Sequence, residues 1–187
     1  MYDNPPDPIF NKIQNSEIIN TPKALHSLCM LTCYKINIHF SQENDQTALE
    51  VRHSSRQCLQ YIQMLGDASV YTELTNVGYV GVLVIAISTA SGSGEEENYE
   101  IRDGLGHISS FLGYLHQGRY NSATFPPQPL LALRAHEQLE EEGGNEEIDS
   151  QLINEGLDSN IKNSASRTNG WILNHFIEQG NLKPDQQ

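Results

Sequence analysis

Residues 69–89 read SVYTELTNVGYVGVLVIAIST, and the fold class turns on whether they pair as strands or coil as helices. Ser69 to Leu74 and Tyr79 to Thr89 are rich in β-branched and aromatic residues, which suit a pleated surface. Between them Thr75-Asn76-Val77-Gly78 is a turn-like break, so a β-hairpin is the simplest reading. The second run is apolar without alternation, and periodicity alone leaves a buried helix as its alternative.

Working outward, the apolar run feeds STASGSGEEE, a glycine-serine turn followed by Glu95, Glu96 and Glu97. A phosphate loop needs backbone N–H groups and positive potential. No lysine or arginine occurs between Arg56 and Arg102, and the spacing misses both nucleotide-binding glycine patterns. The stretch therefore reads as a solvated connection. Ser88, Ser91 and Ser93 invite a nucleophile reading with His107 or His116 as base, but the G-x-S-x-G elbow is absent.

On the N-terminal side, Leu25, Leu28, Cys29 and Cys33 recur at three and four after Thr21-Pro22, predicting a helix to about Tyr34. Ile36, Ile38 and Phe40 then alternate, which suits a short strand. A second helix is predicted from about 46 to 65, capped by Asp45 and stopped by Gly66. Residues 1–20 show no sustained period and read as an extended arm.

On the C-terminal side, Ile101, Leu105, Ile108, Leu112 and Leu115 mark a helix that also holds Gly104, Gly106 and Gly113. Each glycine costs about 1 kcal/mol relative to alanine, so close packing or a break is expected. ATFPPQP, residues 123–129, is an elbow, because its prolines remove donors and fix φ. Helical segments are predicted at 129–142, at about 146–157 and at about 168–179.

These elements predict one α+β domain over 21–187, with helices around a small antiparallel sheet built from 68–75 and 79–89 and an acidic helical part at 129–187. A mostly α-helical protein is the alternative. With 11 basic residues against 24 acidic ones the formal charge is −13, which disfavours nucleic acid and anionic lipid. The longest apolar run falls short of the roughly 20 residues that span a bilayer. The N-terminus lacks the pattern of a secretory signal. Three cysteines, an odd number, speak for a reducing compartment. The expected setting is cytoplasmic, with no membrane insertion.

His26, Cys29 and Cys33 fall within roughly 60° of arc on one helical face, and Cys58 is a conceivable fourth metal ligand. No C-x-x-C pair occurs and unpaired cysteines are commonly buried, so core packing is the preferred reading and no metal or other cofactor is expected. DSNIKNSASRTN lacks the glycine and glutamate of a calcium loop, and HEQLE lacks the second histidine of a zinc-protease helix.

The acidic run carries the functional expectation. No lysine or arginine lies between Arg134 and Lys162, whereas Glu140, Glu141, Glu142, Glu146, Glu147 and Asp149 crowd the same stretch. With Leu139, Ile148 and Leu152 beside them, and Trp171 on the final helix, they form a candidate surface for a partner with a basic segment. The expected function is a non-enzymatic acidic adaptor or chaperone-like protein in a hetero-oligomer. Small acidic chaperones of bacterial secretion complexes share this charge and size, a likeness of profile and not of motif. The alternative is a small hydrolase-type enzyme assembled from Asp103, His107, His116 and the serine loop.

Overall fold

The computed structural model describes residues 22–36, 38, 41–92, 98–121, 123–153 and 159–180. Among them eight helices follow in order: α1 (Pro22–Thr32), α2 (Gln42–Leu65), α3 (Ala68–Asn76), α4 (Tyr79–Gly92), α5 (Asn98–Gln117), α6 (Pro129–Glu141), α7 (Gly144–Ile153) and α8 (Ser159–Gly180). The expected arm at 1–20 and the loop carrying Ser93 and Glu95 to Glu97 lie outside the described residues.

The predicted antiparallel sheet is absent from the described residues, and the α+β expectation is corrected to an all-helical fold. Its two strands are α3 and α4. Asp67 starts α3 by accepting from the backbone N–H groups of Ser69 at 2.9 Å and Val70 at 3.2 Å, so two orphan donors of the first turn are satisfied. Val70, Tyr71, Leu74 and Thr75 are then buried at helical spacing. Gly78, at φ 77°, reverses the chain in the left-handed region. α4 contacts α1, α3, α5, α6 and α7. A helix clad on most sides is apolar nearly all round, and that is why its sequence lacks a helical period and imitates a buried strand.

Smaller corrections follow from cap chemistry and stripe composition. Ser41, not Asp45, is the N-cap of α2, its hydroxyl accepting from the Asn44 N–H. Residues 33–36, at the head of the expected strand, are a turn, while Asn37, His39 and Phe40 lie outside the described residues. α8 begins at Ser159, well before the expected start near 168. Its buried side chains are Ile161, Ser164, Ala165, Thr168 and Ile172 among the described residues, three of the five small or hydroxylated, so an apolar count misses the first two turns. The Thr168 hydroxyl donates to the Leu105 carbonyl on α5 at 3.0 Å.

The core is continuous from α1 to α8. Its aromatic centre is Tyr71, stacked on Phe111 with ring centroids 4.9 Å apart and also 4.9 Å from Phe125, while Tyr79 meets Phe111 edge-on at 5.3 Å. Two of the three α5 glycines mark close approach: a Cβ at Gly104 would lie 2.7 Å from Ile87, and one at Gly113 3.0 Å from the Trp171 ring. The elbow is pinched shut where Arg119 and Phe125 exchange backbone hydrogen bonds of 2.8 and 2.9 Å. No single described helix is long and apolar enough to cross a membrane, and the bent pair α3 with Tyr79–Ser88, which passes by composition, contributes its large apolar side chains to this core.

Candidate functional site

α5 presents a polar face. Asp103, Gly106, His107, Ser110 and Tyr114 recur at three and four, and they line a cleft of about 450 Å³ together with Gln60, Gln63 and Met64 of α2 and Ser164 and Arg167 of α8. A small recess continues it past His107 to His53, Arg56 and Glu100. A second hollow of about 520 Å³ shares Ser110, Tyr114 and Arg167 and ends on Trp171 and Tyr120. The three hollows are joined by common lining residues into one trough.

Buried charge anchors one end. Glu100 and Arg56 are 6% and 7% exposed and pair at 3.3 Å, and the His53 ring also meets the Glu100 carboxylate. Gln63 is held at both ends: its amide donates to the His107 carbonyl at 3.3 Å and its oxygen accepts from the Tyr79 hydroxyl at 2.8 Å. Arg102 donates to its neighbour Asp103 at 3.0 Å. The Ser110 hydroxyl donates to the Gly106 carbonyl at 2.8 Å.

Burial lowers the His107 pKa, with Asp103 and Glu100 opposing the shift, so the ring is neutral at neutral pH. The unfolded chain then binds a proton that the native state refuses, and stability should fall as pH drops below the unfolded imidazole value of about 6.5. Relief of the chain's net negative charge acts in the opposite direction, so the informative quantity is a difference. In denaturant unfolding at about pH 7.5 and about pH 5.5, His107→Gln should lose less stability on acidification than the unaltered protein. Equal losses would show that His107 does not carry the effect.

The residues of the enzyme alternative are only partly united. Asp103 and His107 line the same cleft. His116 belongs elsewhere: its Nε2 lies 2.9 Å from Nε2 of His136, and its ring stacks on Trp171 with centroids 6.0 Å apart. Ser88 sits on α4 with its hydroxyl donating to the Ile85 carbonyl at 3.0 Å. The side chain of Ser91 and all of Ser93 lie outside the described residues.

The partner-surface residues also divide. Glu140, Glu141, Glu142, Glu146 and Asp149 are exposed, and Glu147 is half-buried with Oε1 accepting from the Gln151 amide. Leu139 and Ile148 are core residues at 0% and 1% exposure, so a docked chain cannot reach them. Leu152 and Trp171 are half-buried. The exposed apolar groups nearby are Leu130 at 76%, Leu133 at 39% and Ile153 at 78%. Comparison with protein-family models, curated proteins and solved structures finds no match.

The thiols and His26 do not share one environment. Cys29 is buried in the core, where desolvation first and the neighbouring Cys33 second push its thiol up to about 12. Burial also raises Cys33 and Cys58, whereas His26 is exposed. Thiols held protonated in this way are poor nucleophiles.

Sequence reasoning missed the trough because its walls come from α2, α5 and α8, far apart in the chain. The signal that was present is the polar stripe from Asp103 to Tyr114 with Gly106 in its middle. A glycine there spares close packing, since a Cβ at Gly106 would meet nothing within 4 Å.

Proposed function

We propose that the protein is a non-enzymatic acidic adaptor or chaperone-like protein, and that the outer stripe of α6 receives a basic amphipathic segment of its partner. The observation that carries this reading is the composition of that stripe. Leu130, Leu133, Glu137, Glu140 and Glu141 are all exposed, and at about 100° per residue they fall within roughly 120° of arc. Among the described residues, Glu137, Glu140, Glu141, Glu142, Glu146 and Asp149 have no ion-pair partner. Apolar contacts at one end would supply affinity, and the carboxylates would supply encounter rate and register. Such a partner makes the protein a subunit of a hetero-oligomer.

A tagged protein, incubated with lysate of the cell that expresses it, should return a stoichiometric polypeptide. Release should follow when salt is raised, because exposed charges are screened. The variant Glu137→Lys, Glu140→Lys, Glu141→Lys should lose the partner while keeping its helical circular dichroism. Recovery of the bare protein in repeated captures, or undiminished capture by this variant, counts against the reading.

The hydrolase alternative keeps one observation in its favour, the neutral His107 beside Asp103 and Ser110 in a single cleft. It ranks second because the Ser110 hydroxyl donates to the Gly106 carbonyl and not to His107, so this pair lacks the bond that joins a nucleophile to its base.

A further inference from the structure

The molecule's overall charge conceals a local reversal. Three guanidinium groups, of Arg56, Arg102 and Arg167, line the cleft and its recess against the two carboxylates of Glu100 and Asp103, in a chain whose acids outnumber its bases by 24 to 11. Two of the three are committed, Arg56 to Glu100 and Arg102 to Asp103. Arg167 differs: among the described residues it has neither an ion pair nor a hydrogen bond. Its planar fork of donors is the kind of group that grips an oxyanion bidentately.

The remaining lining defines the rest of a ligand. Gln60 has no hydrogen-bond partner among the described residues, so both its amide donor and its oxygen are available. With its proton given to Gly106, Ser110 offers lone pairs, and the Asp103 carboxylate, half exposed, accepts as well. Acceptors of this kind satisfy hydroxyl groups. The bare backbone at Gly106 leaves the floor open, and about 450 Å³ falls within the range of small-molecule sites.

We propose that this cleft binds a small hydroxylated oxyanion, a carboxylate or a phosphate ester, with its charged group on Arg167 and its hydroxyls on Gln60, Asp103 and Ser110. The site is built from α2, α5 and α8, whereas the docking stripe lies on α6, so either assignment stands without the other.

The test is a titration of the full-length protein at constant ionic strength, read by amide NMR shifts and by the fluorescence of Trp171, the single tryptophan. The probes are inorganic phosphate, glycerol 3-phosphate, succinate and tartrate, with glycerol as the uncharged control. Saturable shifts centred on Gly106, His107 and Ser110 are expected, with the hydroxylated member of a pair binding more tightly than its parent. A response to the phosphate pair alone would assign a phosphate ester, and to the succinate–tartrate pair alone a carboxylate. Arg167→Gln should weaken binding by about 10-fold, or about 1.4 kcal/mol, and Gly106→Phe should abolish it by filling the floor. Arg134→Gln, on an exposed face of α6, should change nothing. Absence of saturation with every probe, or equal weakening by Arg134→Gln and Arg167→Gln, would overturn the proposal.

Discussion

Arg119→Met should cost on the order of 3 kcal/mol or more in urea unfolding, a large share of the roughly 5–15 kcal/mol that holds a domain together. Arg119 is 4% exposed, and its guanidinium reaches the last turn of α2. There it donates to the carbonyls of Gln63 at 3.3 Å and Gly66 at 3.1 Å, and also to that of Met64. Those carbonyls belong to the end of a helix, where intrahelical donors run out and the dipole is negative. Methionine fills much of the same volume but leaves them without a partner, each at about 1–3 kcal/mol. The guanidinium also sits 5.2 Å from the Tyr114 ring, an attraction that disappears with the charge. Arg119→Lys should recover part of the loss, since an ammonium keeps the charge and its donors but lacks the reach and the planar geometry of the guanidinium fork. A loss below about 1 kcal/mol for Arg119→Met would mean that water replaces the side chain at those carbonyls.

Phe111→Ala should remove about 3–5 kcal/mol, the usual cost of truncating a fully buried aromatic ring. Phe111 is 0% exposed and lies at the junction of α3, α4 and α5, stacked on Tyr71 and met edge-on by Tyr79. The cavity cannot close by moving one neighbour, because Tyr71 is also held by Tyr114 and Phe125. Phe111→Leu keeps most of the volume, and its cost should stay near 1–2 kcal/mol. Thermal and urea unfolding of the two variants separate the cavity term from the loss of ring contacts. A Phe111→Ala protein within about 1 kcal/mol of the unaltered one would show that this cluster repacks freely.

Legibility in the sequence followed how many sides of each element are covered. α2 and α6 each bury one face and expose the other, so Ala48, Leu59 and Ile62, or Ala132, Ala135 and Leu139, stand out against polar neighbours. α4 buries most of its circumference, and Val80, Leu83, Val84 and Ile87 therefore sit in a run with no polar phase to read. α8 fails in the opposite way, because Ser164 and Thr168 are buried without looking apolar.

The candidate sites show the same limit. Exposure of Glu140 and Glu141 could be guessed from charge, but the burial of Leu139 and Ile148 could not be told from that of an interface anchor. A formal charge of −13 is a sum, and a sum carries no information on where Arg167 stands relative to Gln60.

The wrapping of α4 sets an order of events during translation. Its cladding comes partly from α6 and α7, which begin at Pro129 and Gly144, whereas α4 itself ends at Gly92. A ribosome adding about 5–20 residues per second leaves the greasy Val80–Ile87 surface uncovered for several seconds after it emerges. A chain that stops before α7 would keep part of that surface bare, so the cladding of α4 is complete only once residues 129–153 have been made.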